Sequence, residues 1–180
     1  IWASLDGIGD TTEYIRYPSN FNKVKENLQY YKKMFNDYGN GSITFSPAIQ
    51  LLNIHQLDEM LKWFIDFSDG AWGDKVDVSW MAQVWYPRIC NYDTAPRKYR
   101  LMVADKLEKS VDYFAQYKGI SKFYKTQIEN LRTDQLDAKT ELDLQQSFIR
   151  YNDTQDNHRK GNTWRKLLPY LEETLTNSLK

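Results

Sequence analysis

The sequence predicts an α/β protein: three parallel strands alternating with helices, followed by an all-helical C-terminal extension. Three observations carry that reading. Apolar residues recur with a period of two around Ile1, Ile43 and Val76. Helical spacing fills the intervals between those stretches, and from Pro96 onward only helical spacing remains. The order strand, helix, strand, helix, strand implies parallel pairing with right-handed crossovers. At 180 residues the chain is long enough to bury a core. It divides into 1–92 and 93–180, with the change of character between Asn91 and Pro96.

The first strand is the short alternating segment Ile1-Trp2-Ala3-Ser4-Leu5, which runs into Asp6-Gly7 and a glycine-rich turn. Asn20 is placed to cap a first helix in which Phe21, Val24, Leu28, Tyr31 and Phe35 share a face. Gly39-Asn40-Gly41 ends it, because glycine tolerates the positive φ of a helix terminus. Ser42 to Leu52 reads as the second strand, with Ile43 and Phe45 on one face and Pro47 marking an edge, an end or a bulge. Asn53 is a good cap for a second helix carrying Leu57, Leu61 and Phe64. Breaks at Ser68-Asp69-Gly70 and Gly73-Asp74 lead to a third strand, Val76 to Trp85, in which Val76, Val78, Trp80, Ala82 and Val84 alternate with polar or longer residues. Pro87 stops it.

Pro96 suits a first helical position. Tyr99, Val103, Leu107, Val111 and Phe114 then form one helical stripe up to Gly119. Further helices are predicted from Ser121 to Arg132 and from Asp137 to Tyr151. A short turn capped by Asn162 or Thr163 follows, and a last helix begins at Pro169.

Composition narrows the function. Twenty-four basic residues balance 24 acidic ones, which argues against nucleic acid or an acidic membrane surface as the main partner. No apolar run approaches the roughly 20 residues a membrane span needs. No basic stretch followed by an apolar core marks a signal peptide. The single cysteine, Cys90, allows no internal disulfide and fits a reducing, cytoplasmic setting. A chain that starts within a strand and without methionine leads to the expectation of further strands before Ile1.

Candidate chemistry concentrates at the start. Arg16 follows Asp6 by ten residues, and Ser4 lies two residues before Asp6. In α/β sheets, ligands sit beyond the carboxyl ends of the strands. A hydroxyl from Ser4 and the two-pronged donor of Arg16 suit a small polar ligand bearing a carboxylate. The same spacing also suits a βα turn at Asp6-Gly7 with Arg16 in a surface ion pair.

Elsewhere the signals are weaker. His55 and His158 lack neighbours at ligand spacing, so no metal site is indicated. Cys90, without a second cysteine or an adjacent base, reads as an unreactive thiol. Asp153 to Arg159 is a dense polar segment that fixes a loop or holds a ligand, but it lacks the glycine and closing glutamate of a calcium loop. No phosphate loop or serine-hydrolase elbow is present.

The motif Ser4-Leu5-Asp6-Gly7, then Glu13-Tyr14-Ile15-Arg16, then Phe21-x-x-Val24-x-x-Asn27-Leu28, resembles the fourth strand and following helix of radical S-adenosylmethionine enzymes. The likeness is to the branch with a twitch or SPASM-like extension after the barrel. The strand before Asn53 and the strand before Pro87 fit that family's fifth and sixth strands. Asp156-x-x-Arg159, Trp164 and Leu168-Pro169-x-Leu171 fit its helical end.

The resemblance implies a partial (β/α) barrel, here represented by three strands. It further implies a 4Fe-4S cluster that cleaves S-adenosylmethionine to a 5′-deoxyadenosyl radical, and hydrogen abstraction from a small-molecule or peptide substrate. A reductant protein is the implied partner, with no nucleic acid and no membrane. Carried over, Ser4 contacts the methionine or ribose portion of the cofactor, Arg16 pairs with its carboxylate, Asp6 faces the same cavity and Asn53 shapes its rim.

The chain departs from the family in having no cysteine triplet, so the expected cluster ligands lie upstream of Ile1. A C-x-x-x-C-x-x-C loop is expected about a hundred residues earlier, the length of three more βα units. By itself the chain is expected to be inactive and to associate through open sheet edges. The alternative is a non-catalytic α/β-helical module that binds a peptide or protein. An α/β enzyme of another kind ranks last, because no nucleophile or base is identifiable.

Overall fold

A computed structural model describes residues 1–68, the backbone of 76–78, 81–159 and 161–179. The described residues are mostly helical with a few short strands, several of them in parallel pairs. They fall into two compact units, 1–49 with 56–82, and 50–55 with 83–180.

The first unit holds a three-stranded parallel sheet. Its strands are β1 (Trp2–Ala3), β2 (Ile43–Phe45) and β4 (Val76–Val78), in the order β1-β2-β4. Trp2 lies opposite Thr44, Ala3 opposite Phe45, and Phe45 opposite Val78. The sheet is α-rich in its setting and short in its strands, and the described residues show no barrel closure.

Each strand is shorter than the alternation predicts. The expected second strand breaks in two, β2 and β3 (Ala48–Ile49), because Pro47 has no N–H to give to a ladder. The Pro47 carbonyl instead accepts the Ala82 N–H at 3.4 Å. The expected third strand appears as β4 and β5 (Ala82–Gln83). Trp80 between them, and the predicted breakers Asp69, Gly70, Gly73 and Asp74, lie outside the described residues.

Between β1 and β2 come α1 (Asp10–Ile15), which the sequence pattern did not reveal, and α2 (Phe21–Tyr38). The Asn20 side chain accepts the Lys23 N–H at 2.9 Å, as a helix cap should. Gly39 closes α2 at φ 71°. A Cβ on Gly41 would come 2.1 Å from the Phe35 ring, so the return to β2 needs glycine for space.

α3 (Leu57–Phe67) supplies the aromatic floor of the sheet. Phe64 stacks on Phe45 with centroids 4.2 Å apart, and Trp63 and Phe67 meet Phe45 edge-on. Such contacts add about 0.5–1.5 kcal/mol each beyond the area they bury.

Asn53 does not cap α3. Its side-chain oxygen turns back to accept the Gln50 N–H at 2.8 Å, and a 3-10 turn, Ile54–Gln56, intervenes before the helix. His55 therefore sits in that turn rather than on the first turn of α3. The tight turn starting at Gln50, whose carbonyl accepts from Asn53 and Ile54, uses the asparagine before the helix can.

The second unit is helical. Two 3-10 turns, Arg88–Cys90 and Tyr92–Thr94, lead into α4 (Arg97–Glu108), with Pro96 just outside the first helical position. The stripe Tyr99, Val103, Leu107 is buried as predicted. It does not continue as one helix. The chain breaks at Lys109-Ser110 and resumes as α5 (Val111–Phe114), then as α6 (Lys118–Arg132), which starts three residues earlier than expected.

Arg100, 2 % exposed, donates to the carbonyls of Ala95, Leu131 and Thr133 and pairs with Asp134 at 2.7 Å. It fastens the start of α4 to the end of α6. The Tyr124 hydroxyl donates to the Leu107 carbonyl at 2.7 Å and makes a second fastening between the same helices.

α7 (Ala138–His158) is longer than predicted and absorbs most of the polar segment that read as a loop. Asp137 caps it, accepting from the Lys139 and Thr140 N–H groups. Asp153 of α7 pairs with both prongs of Arg165 and accepts the Trp164 indole N–H at 2.9 Å. Those contacts pin α8 (Trp164–Leu167), capped by Thr163, where Trp164 packs edge-on against Phe148. α9 (Pro169–Ser178) then buries Leu171 and Leu175.

Candidate functional site

The carboxyl end of β1 carries the site. The strand ends at Ala3, Ser4 is exposed just beyond it, and the chain then dives inward at Leu5 and Asp6. Asp6 is 3 % exposed, and a buried carboxylate must be paired. Its Oδ1 accepts the Ala48 N–H at 2.8 Å, tying the end of β1 to β3. Its Oδ2 receives both Nε and Nη2 of Arg16, at 2.8 and 2.7 Å. Arg16 keeps 43 % of its side chain exposed. Asp6 and Arg16 are thus brought together, with the acid inside and the guanidinium half outside. Asp6 is the holder of Arg16, and Arg16 is the member that presents charge to solvent.

The loop between them is clamped. Gly7 sits at φ 149° and Gly9 at φ 56°, both positive, which glycine alone adopts without strain. The Thr12 hydroxyl donates to the Gly7 carbonyl at 2.6 Å. Gln56, immediately before α3, receives the Ile8 N–H on Oε1 at 2.7 Å and donates from Nε2 to the Thr11 hydroxyl at 2.8 Å. A Cβ on Gly7 would lie 2.8 Å from Thr11 Cγ2 and 2.9 Å from Gln56 Oε1. Thr11 and Gln56 were not legible as site residues, since they meet each other across 45 residues of sequence, and the local contact of Thr12 with Gly7 has no pattern of its own. The glycine pair Gly7 and Gly9 was the one local signal of a turn that needs support.

Asn53, expected at the rim of the same cavity, belongs to the second unit, is fully buried and holds the Gln50 backbone. His55 and His158 form no metal cluster, and no group of three His, Cys, Asp or Glu suited to an ion occurs among the described residues. Burial pushes the Cys90 thiol above its ordinary value, which disfavours the reactive thiolate.

A second polar cluster lies in the helical unit. Asp93, 2 % exposed, pairs with Arg88 at 2.6 Å, and burial pushes its carboxyl upward against the pull of Arg88 and Arg100. Asn91 accepts the Asp93 N–H at 3.1 Å and a Gln83 amide N–H at 2.9 Å. The Tyr92 hydroxyl donates to Gln127 at 2.7 Å, and burial lifts it to about 12. A shifted carboxyl marks functional sites as well as structural networks. Here the Arg88–Asp93 and Asn91–Asp93 contacts close the turns leading into α4, and Gln83 and Gln127 tie those turns to β5 and α6, so the cluster reads as architectural.

Compared with protein-family models, curated proteins and solved structures, the chain matches none. Among the described residues no helix is long and apolar enough to cross a membrane.

Proposed function

We propose that this chain contributes the cofactor-facing edge of a radical S-adenosylmethionine enzyme built on a partial (β/α) barrel. The observation that carries the reading is the Asp6–Arg16 pair at the carboxyl end of β1, which leaves a half-exposed guanidinium beside an exposed serine. A buried acid that orients an arginine fixes a two-pronged donor for a carboxylate. Arg16 takes the carboxylate of S-adenosylmethionine and Ser4 its methionine or ribose portion. Asp6 serves both by holding Arg16. The parallel order β1-β2-β4, with helices between consecutive strands, fits the same barrel.

The iron–sulfur cluster is a different matter. Such clusters are held by several cysteine thiolates, and this chain has Cys90 alone. Its residues do not fit a 4Fe-4S cluster, and the ligands are assigned to residues outside this chain. S-adenosylmethionine, once bound beside a reduced cluster, supplies the means of hydrogen abstraction from a small-molecule or peptide substrate. A reductant protein belongs with that assembly, and the chain alone is inactive.

The test is equilibrium dialysis of the full chain against labelled S-adenosylmethionine, alongside Arg16→Ala. Loss of a hydrogen-bonded charge should weaken binding roughly tenfold to a hundredfold. No binding at millimolar cofactor, or equal binding by R16A, sinks the reading and favours the non-catalytic binding module.

A further inference from the structure

We propose that Gln56 is the positioning residue of this edge: from the start of α3 it sets the Gly7–Gly9 turn, and through the turn the placement of Asp6 and Arg16 toward S-adenosylmethionine. The inference rests on the reading that this edge binds that cofactor.

Gln56 occupies the cap position of α3, yet its side chain makes no capping bond to the helix. Glutamine is not among the residues favoured for capping. Both ends of its amide are used instead on the β1 turn. Oε1 takes the Ile8 N–H and Nε2 gives to the Thr11 hydroxyl, while only 7 % of the residue is exposed. An unpartnered Ile8 N–H inside this turn would be costly. Gln56 meets that demand across 48 residues of sequence, where no neighbour in the turn does.

The contact also reaches Arg16. Thr11 and Thr12, the residues the clamp holds, are in α1, and Arg16 is the residue that ends α1, its N–H donating to the Thr12 carbonyl at 2.8 Å. Asp6 is joined to the other side of the turn through Gly7. With the turn fixed at Ile8 and Thr11, the acid and the guanidinium have one relative placement. Released, each is free to turn from the other, and the ligand must then bear the ordering cost. Gln56 acts on Asp6 and Arg16 through the Ile8 backbone and the Thr11 side chain.

The experiment uses the full chain as wild type, Gln56→Met, Gln56→Glu and Thr11→Val. It reads amide exchange at Ile8 and across 5–16, thermal midpoint, and affinity for S-adenosylmethionine. Q56M keeps the volume and loses both hydrogen bonds. Exchange at Ile8 is expected to accelerate at least about tenfold, with the rest of the first unit little changed, and cofactor affinity to fall by about the same factor. Q56E is expected to rescue both to within about threefold, because its carboxylate accepts from Ile8 and from the Thr11 hydroxyl turned donor. T11V, which leaves the Ile8 bond intact, is expected to show a smaller change in the same direction.

Wild-type exchange at Ile8 in Q56M overturns the clamp. Affinity lost without a change in exchange, or lost equally in Q56E, overturns the positioning role. If wild type itself fails to bind the cofactor, the reading of the edge falls and takes the ligand assignment with it. The exchange arm still decides whether Gln56 holds the turn.

Discussion

Asp6 and Arg16 meet on a single oxygen. Nε and Nη2 of the arginine both converge on Oδ2 of the aspartate, while its Oδ1 is taken by the Ala48 N–H. The carboxylate is therefore a three-way junction between the turn after β1, the end of α1 and the start of β3. Removing its charge and keeping its shape separates the two duties.

Asp6→Asn should retain the bond from Ala48 and lose the guanidinium pair. The pair is half exposed, so water and salt discount it. A loss of about 1 kcal/mol in urea denaturation is expected, against about 2–3 kcal/mol for Asp6→Ala, which also removes the bond from the Ala48 N–H. Equal losses in the two variants would show that Oδ1 carries none of the stability.

Asp93 gives a pH test. Its folded-state value is raised by burial, so the folded chain holds that proton more tightly than the unfolded chain. The stability it contributes is fully present below the unfolded carboxylate value, about 3.9. It is lost as pH rises through the raised folded value. Asp93→Asn imitates the protonated side chain and removes this dependence. Urea melts at a series of pH values should show wild type losing ground to D93N as pH rises from about 4, then a constant gap at higher pH. A gap that does not change with pH would mean the folded carboxyl is not raised.

Gly41→Ala tests packing rather than electrostatics. The added methyl would come 2.1–2.7 Å from three atoms of the Phe35 ring. Either the ring or the α2–β2 return must move, at a cost of about 1–3 kcal/mol. Recovery of stability in the double variant Gly41→Ala, Phe35→Leu would identify the ring as the obstacle, and continued loss in both would point to the backbone.

Cys90 should be a slow thiol. Burial disfavours its thiolate, so reaction with a disulfide reagent at pH 8 is expected to run at roughly a tenth or less of the rate in denaturant. Equal rates would contradict the shielding that its partial burial gives this side chain.

The parts of this fold that were legible in sequence are those decided within a few residues. The Asn20 cap, the Gly39 terminus, the Thr163 cap and the Tyr99-Val103-Leu107 stripe are all local, and all appear where spacing put them. Strand lengths were not legible, because pairing depends on what lies alongside. Pro47 broke a run whose alternation looked continuous. Asn53 failed as a helix cap because an asparagine can satisfy a turn or a helix, and the tight turn starting at Gln50 took it first.

The same division runs through the site. Asp6 and Arg16, ten residues apart, were visible as a pair. Their support, Ala48 on Asp6 and Gln56 on the turn, arrives across 42 and 48 residues and leaves no mark in a linear pattern. Asp153 to His158 shows the reverse error. A polar composition read as loop, yet the acid anchors the neighbouring helix from within α7.

Arg100 joins the last carbonyls of α6 to the first turn of α4 from a buried position. Helix ends ordinarily fray first and almost without cost, each on its own schedule. Here the end of α6 cannot peel away without taking the acceptors from a guanidinium that has no solvent to turn to. The two helices should therefore open together or not at all, as one cooperative unit whose slowest-exchanging amides include residues that would otherwise be terminal. Lysine in this place, with a single point charge for several acceptors, would allow the end of α6 to fray independently and divide that unit in two.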